Sequence, residues 1–422
     1  MTSLPPGPIP GGPPVISLAL AEPITAVRRR WTAAVVLANV GVFAAFLGPI
    51  QVLLAKQSES VAPGNKEFAF GLVTGVGAAV SVVANPLAGA FSDRTTSRWG
   101  RRVPWVLAGA VGGVVGLLVL AGPGAIGLML LGWCLVQLFC NALLAAVTAA
   151  VPDQVPKVQR GAVGGWVALA QTLGALVGVG LATAAGGISA GYLACAAFLL
   201  ISVLPYLLGS GDQQLTERPA LAWREFFTGF WVSPSRYPDF GWAWLTRFLL
   251  NLGNALGTLY LFYFLQDAVS YDDPDTGVLI LTAIYSACVL LTAVASGTWS
   301  DRLGRRKVFV TWAGVVMAVG AVVLAVWPVW AAAIVGAVIL GIGFGVYLSV
   351  DFALLTEVLP SARDRAKDLG VINIANSLPQ VIAPAIAAPV VRALGGYPML
   401  YTLAAAVTLL GAVLVRKVKL VA

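Results

Sequence analysis

GAFSDRTTSRWGRR, residues Gly89–Arg102, is a cluster of charge at the end of a long apolar run, and GTWSDRLGRR, Gly297–Arg306, is its shorter echo. Both contain Gly-x-x-x-Asp-Arg followed by Gly-Arg-Arg, and the first copy carries four extra residues, Thr95 to Arg98. Asp93 and Asp301 are therefore 208 apart, whereas Arg101 and Arg305 are 204 apart. The register then persists: Asp153 and Glu357 are 204 apart, as are Pro156 and Pro360. Arg160 and Arg365 are 205 apart, as are the Ala-Gln-Thr-Leu at Ala170 and the Ala-Asn-Ser-Leu at Ala375. Two motifs in one register identify a duplicated unit of about half the chain.

Composition places that unit in lipid. The 422 residues are 59% hydrophobic and 10% charged, with a mean hydropathy of +0.88, whereas soluble domains are about 25% charged. Crossing a hydrocarbon core takes about 20 apolar residues. The sequence predicts such spans at 31–55, 67–91, 103–121, 125–150, 161–184 and 190–210, then at 241–265, 276–299, 308–327, 329–357, 369–393 and 397–415. Backbone polar groups in lipid must be satisfied within each segment, so these runs are helices; outer-membrane strands alternate over about ten residues instead. The expected fold is an all-α integral membrane protein of twelve transmembrane helices in two pseudo-symmetric six-helix bundles.

The net charge of +8 has a definite placement. Of 26 Lys and Arg residues, 22 fall in the tails and in the loops after even-numbered spans. Lys56, Lys66 and Arg392 lie on the other side, and Arg247 lies within a span. The positive-inside rule then puts both termini in the cytoplasm of a multi-pass protein of the cell inner membrane, and no nucleic-acid partner is expected. The predicted organisation is a disordered tail over 1–30, a bundle over 31–210, a central loop over 211–240, a second bundle over 241–415 and a basic tail over 416–422. The Pro- and Gly-rich stretch Met1–Ala21 lacks the basic start of a signal peptide. In the central loop, Trp223, Phe226, Phe227, Phe230 and Trp231 fit a helix lying at the membrane surface, with partner docking as the other reading. Asp267, Asp272, Asp273 and Asp275 form an acidic loop read as solvated, or as a cation attractor at the outer mouth.

Several chemistries are excluded. With no His there is no imidazole proton relay and no His-based metal site. Cys134, Cys140, Cys195 and Cys288 all fall in predicted spans, where small buried apolar side chains are expected rather than disulfides. No glycine loop followed by Lys-Ser or Lys-Thr and no catalytic cluster is found, so neither an enzyme nor a cofactor is expected.

Ionisable groups at membrane depth default to function, and two qualify, Arg247 and Asp351. Asp351 lies six residues before Glu357 and Arg247 six residues into span seven, which starts from the same side, so both sit at a similar depth of roughly 9 Å. As a pair they would load and release a proton, since desolvation raises an Asp pKa and a nearby Arg lowers it. A permanent structural ion pair, or an Arg247 snorkelling to the headgroups, is the alternative. Arg247, Asn251, Asn254 and Thr258 form one stripe on span seven. Candidate solute contacts are Asn39 and Phe43 on span one, Gln137 and Asn141 on span four, Asn251, Asn254 and Tyr263 on span seven, and Asn373 and Asn376 on span eleven; polar groups that glue helices together are the competing reading. Glycines at 71, 75 and 77 and at 341, 343 and 345 predict close helix crossings.

Twelve spans with paired Gly-x-x-x-Asp-Arg-x-Gly-Arg-Arg-like loops resemble the major facilitator superfamily over nearly the whole chain. The extended loop SDRTTSRWGRRVPW is similar to that of the glycoside and sucrose cation symporters. That resemblance implies a transporter working by alternating access, with spans one, four, seven and ten lining the cavity. It gives Asp93, Arg94, Arg101 and Arg102, with Asp301, Arg302, Arg305 and Arg306, a gating role across the interface between halves, shutting the cytoplasmic side. In the glycoside symporters the residues before the loop read like Asp-x-x-x-Asp-Pro-x-x-Gly and serve a sodium site. Here they read Ser81-Val82-Val83-Ala84-Asn85-Pro86-Leu87-Ala88-Gly89. Both carboxylates are missing, which leaves proton coupling or uniport. The expected function is therefore proton-coupled movement of a small polar solute, a sugar or glycoside, by a monomer whose partners are that solute, protons and the bilayer. Proton-antiport efflux of a drug or hydrophobic metabolite is the alternative.

Overall fold

The computed structural model describes residues 23–122, 124–216, 237–303, 305–357 and 365–419, with side chains left out at 298, 301, 302, 352, 353, 355–357 and 365–373. The segment 1–22 and the aromatic stretch of the central loop lie outside the described residues. Among the described residues, eleven helices are long and apolar enough to cross a membrane, and a bent pair makes a twelfth. We number them α1 (Arg29–Val61), α2 (Lys66–Ser92), α3 (Val103–Ala121), α4 (Ile126–Gln154), α5 (Lys157–Ala184) and α6 (Ile188–Gly209) in the first half. The second half has α7 (Pro238–Leu259, continued by Leu261–Ala268), α8 (Pro274–Leu303), α9 (Arg306–Val326), α10 (Trp330–Glu357), α11 (Arg365–Ala393) and α12 (Gly396–Leu414).

Local chemistry sets the breaks. Pro104 occupies the first turn of α3, where its missing N–H costs nothing. The α11–α12 turn runs through Gly395 (φ 122°) and Gly396 (φ 73°), a left-handed pair that side chains resist. Two spans are not the straight helices expected. α1 widens into a π-turn at Pro49–Leu53, where the Leu54 N–H reaches back to the Pro49 carbonyl; Pro49 has no N–H to continue the α-helical ladder. α7 bends by 43° at Tyr260, and its last turn, Phe264–Ala268, is also π-helical.

The packing plan repeats. In the first half α1 packs on α5 and α6, α2 on α4, and α3 on α4 and α6. In the second half α7 packs on α11 and α12, α8 on α10, and α9 on α10 and α12. Adding six to each helix number maps one set onto the other, as the sequence duplication requires. The halves meet chiefly through α2 with α11 and α5 with α8, pairs that exchange under the same operation. α1 with α4 and α7 with α10 make smaller contacts, again related by six.

Small residues make the close approaches. A Cβ on Gly178 would lie 2.5 Å from the Ala44 carbonyl oxygen, and one on Gly48 2.4 Å from that of Gly178. α1 and α5 thus touch backbone to backbone, which adds dispersion contacts where lipid offers no hydrophobic drive. Gly71 and Gly75 face Pro384 and Val381 across the seam between halves, and Gly341 and Gly345 seat α10 on α8. Gly178→Leu is expected to cost about 1–3 kcal/mol by overpacking, read as a lower melting temperature in detergent. Gly165→Ala, whose Cβ meets nothing within 4 Å, should leave the melt unchanged or raise it.

Candidate functional site

Inside the spans, α7, α10 and α11 bring together five polar side chains. The Arg247 Nη1 pairs with the Asp351 carboxylate, and both are buried, at 9% and 3% exposure. The Arg247 Nε donates to Asn376 Oδ1 at 2.8 Å. The Asn251 amide donates to the Tyr347 hydroxyl oxygen at 3.1 Å and to Asn376 Oδ1 at 3.3 Å. One turn further along α7, the Tyr285 hydroxyl donates to Asn254 Oδ1 at 3.0 Å. Phe344 lies between the Tyr285 and Tyr347 rings, with centroids 6.1 Å and 5.7 Å away. The sequence placed Arg247 and Asp351 at one depth, Asn251 and Asn254 on the stripe of span seven, and Asn376 on span eleven. It missed Tyr347 and Tyr285, although Tyr347 lies four residues before Asp351 and so shares its helix face.

The candidate solute contacts of the first half are uncharged and bond within their own helices. The Asn141 amide donates to the Gln137 carbonyl at 2.7 Å and to Gln137 Oε1 at 3.1 Å, and both side chains are largely buried. Asn39 is 1% exposed; its amide is spent on the Val35 carbonyl, and its Oδ1 is buried without a partner. Phe43 is half-buried where α1 crosses Gly174.

Tyr263, expected to stack on a solute, lies elsewhere. Sixteen residues beyond Arg247, roughly 24 Å along α7, it lies at the end remote from the charged loops, where its hydroxyl donates to the Ala55 carbonyl at 2.9 Å and its ring meets Phe70 edge-on. It belongs to a seal between the halves. Lys66 Nζ reaches Asp267 at 2.8 Å and Glu59 at 3.2 Å, Gln266 donates to Glu59 at 2.8 Å, and Thr282 donates to Gln51 at 3.0 Å. Lys56 pairs with Asp275, and Arg392 with Asn65. Asp267 and Asp275 are therefore not a merely solvated loop but the partners of two of the three cations on that side. Among the described residues these contacts tie the two halves together at this end.

Among the described residues, the charged loop after α2 pairs within its own half. Arg101 Nη2 reaches Asp153 Oδ1 at 2.5 Å. Arg102 contacts Asp93 at 2.5 Å, Asp153 at 2.8 Å and the Ser92 hydroxyl at 2.8 Å. Burial works against the Arg102 charge, but Asp153 and Asp93 outweigh it and hold its pKa above the usual guanidinium value. Asp212, from the segment after α6, accepts the backbone N–H of Arg102 at 2.5 Å and of Val103 at 3.0 Å, capping α3. Burial raises its pKa, opposed by those two N–H groups. Gly100, at φ 95°, lies so close that a Cβ would sit 2.4 Å from the Asp212 carboxylate. Arg94 is half-buried, with Nη1 unpartnered. In the second half, Arg305 is exposed just before α9 and Arg306 opens that helix, half-buried. The side chains of Asp301, Arg302 and Asn373 lie outside the described residues.

The sequence matches the model of the Major Facilitator Superfamily over residues 31–281 and again over 273–420. The chain belongs to that superfamily. No curated protein matches it. Among solved structures it is similar to a peptide transporter, POT, in complex with sulfate (TM-score 0.76, 13% identity, covering 95% of this chain and 97% of that one). It is also similar to the nucleoside transporter NupG (TM-score 0.71, 14% identity, 91% and 99% covered). A third is the human organic anion transporter MFSD10 (TM-score 0.68, 17% identity, 92% and 99% covered). The protein is a multi-pass membrane secondary transporter and not an enzyme.

Arg102→Met removes the one cation shared by Asp93 and Asp153; Asp93 is exposed and Asp153 keeps Arg101, so a loss of about 1–3 kcal/mol is expected from the charged hydrogen bonds given up, measured by thermal melting. Lys66→Met should loosen the seal. Its ion pairs are partly exposed and worth about 1 kcal/mol at most, so a several-fold rise in the separated population is expected from spin-label distances between Ser60 and Asp272.

Proposed function

We propose that this superfamily member is a proton-coupled transporter of a small, uncharged, hydroxylated solute, a sugar or glycoside. The carrying observation is the Arg247–Asp351 pair with Asn376, Asn251 and Tyr347 around it. While ionised the pair is neutral as a unit, and the candidate contacts of the first half, Asn39, Gln137 and Asn141, are amides, so a solute bound between them needs hydrogen-bonding groups and no net charge. Proton coupling rests on Asp351: protonation removes the counter-ion of a buried guanidinium, and a buried charge without a partner is strongly disfavoured. The pair thus links the protonation of one carboxylate to the occupancy of the site. The absence of carboxylates at Ser81 and Asn85 supports protons over sodium. The loop SDRTTSRWGRRVPW supports the glycoside branch.

The distribution of basic residues supports an inner-membrane orientation with both termini and the charged loops in the cytoplasm, which puts the Lys66 and Lys56 seal on the outer side. A monomer suffices, because both walls of the site come from one chain. Antiport efflux of a drug or hydrophobic metabolite is the second reading. It draws on the aromatic Phe43 and on the uncharged candidate contacts of the first half.

The test is a thermal-shift screen of sugars, nucleosides, dipeptides and hydrophobic cations on the purified protein, followed by flux into liposomes with and without a pH gradient. Stabilisation by a sugar or glycoside, with uptake driven by protons moving in the same direction, is expected. Stabilisation by a hydrophobic cation and by no sugar overturns the substrate class. Asp351→Asn should reduce gradient-driven uptake to the level seen without a gradient while retaining solute exchange; undiminished coupling would remove Asp351 from the mechanism.

A further inference from the structure

A groove of about 390 Å³ lies on the outer surface of the second half, at the end that carries the charged loops, lined by Lys307, Val308, Thr311, Trp312, Val315 and Arg416. Five of these residues come from the first three turns of α9 and the sixth from the short turn after α12. Lys307, Thr311 and Val315 are spaced by four along α9, so this face runs roughly 12 Å into the membrane-spanning region at 1.5 Å per residue. Its chemistry is graded. Lys307 and Arg416 lie at the mouth, the Thr311 hydroxyl comes next, and Val308, Val315 and the 63%-exposed Trp312 make the apolar remainder. Lys307 Nζ donates to the Val418 carbonyl at 3.1 Å, and among the described residues no carboxylate pairs with it or with Arg416.

The first half supplies an internal comparison. There, the segment after α6 sends Asp212 onto the start of α3, where it accepts the N–H of Arg102 and Val103. In the second half the segment after α12 stands in the same relation to α9, and it brings Arg416 instead of an acid. The first turn of α9 contains no acidic residue and has no side-chain cap. One half thus carries its own anion at this place, whereas the other offers two cations beside an apolar slot that opens to lipid.

We propose that this groove binds an anionic phospholipid, its phosphate between Lys307 and Arg416 and an acyl chain along Val308, Trp312 and Val315. Charge complementarity selects the headgroup, since basic pockets at the membrane boundary favour anionic lipids. Trp312 supplies the amphipathic ring common at headgroup level. Neither residue belongs to the solute site or to the seal, so lipid binding is separable from transport chemistry.

The test uses the full chain purified in detergent, with phosphatidylglycerol, phosphatidylcholine or inorganic phosphate added, read by native mass spectrometry and thermal shift. Phosphatidylglycerol should be retained and should raise the melting temperature, with phosphatidylcholine and inorganic phosphate having little effect. Lys307→Gln and Arg416→Gln should each weaken phosphatidylglycerol binding roughly fivefold, and the double variant roughly 25-fold. Arg98→Gln, an exposed cation of the first-half loop, should leave binding unchanged and controls for overall charge. Equal retention by the double variant and the unaltered protein overturns the site. Equal stabilisation by phosphatidylcholine overturns the headgroup selection, and equal stabilisation by inorganic phosphate shows an anion site rather than a lipid site.

Discussion

A charge placed in hydrocarbon must be neutralised where it stands, and this one requirement arranges most of the molecule. Twelve helices carry almost nothing ionisable through their middles. At the ends, cations find carboxylates: Arg101 and Arg102 on Asp153 and Asp93, Lys66 on Asp267 and Glu59, Lys56 on Asp275. The exception inside the spans, Arg247 with Asp351, is also a pair, held further by Asn376. Removing either partner would leave a bare buried charge.

The pairs divide by burial in a way that bears on motion. Arg102 and Arg247 are deeply buried, and their ion pairs lie inside one half or the other. Those between halves, at Lys66 and Lys56, are partly exposed. Buried pairs are costly to break and exposed ones are not, so each half is built as a rigid body and the seal between them as a set of weak links. The seams of α2 with α11 and α5 with α8 complete the hinge. At Gly71 and Gly75 no side chain interlocks with the facing Pro384 and Val381, so these helices can roll on each other.

Much of this was legible in the sequence, for a physical reason: hydropathy and charge placement act locally. The spans, the duplication and the depth of Arg247 and Asp351 all follow from spacing along a helix. Three features were not legible, because each depends on a tertiary approach. Tyr263 shares span seven with the polar stripe but lies sixteen residues and roughly 24 Å beyond Arg247, and only the fold brings Ala55 and Phe70 beside it in the seal. Asp267 and Asp275 read as solvated acids until the fold brings Lys66 and Lys56 beside them. Asp212 sits among unpatterned residues after α6, and only Gly100, with its positive φ and no side chain, lets it reach the start of α3.

The asymmetry between the two walls is the last consequence of the duplication. A duplicated chain starts with two equivalent faces, yet here the ionisable pair sits on α7 and α10 while α1 and α4 present Asn39, Gln137 and Asn141. A second buried pair opposite the first would add another large desolvation cost and place two strong fields across one narrow gap. With charge confined to one wall, the proposed proton step stays within a single rigid half, where Asn376 and Asn251 can follow Arg247 as its counter-ion is neutralised. The other wall then needs only to hydrogen-bond the solute and move. On that reading, proton loading and the rocking of the halves meet at the solute itself, which is the one component that touches both.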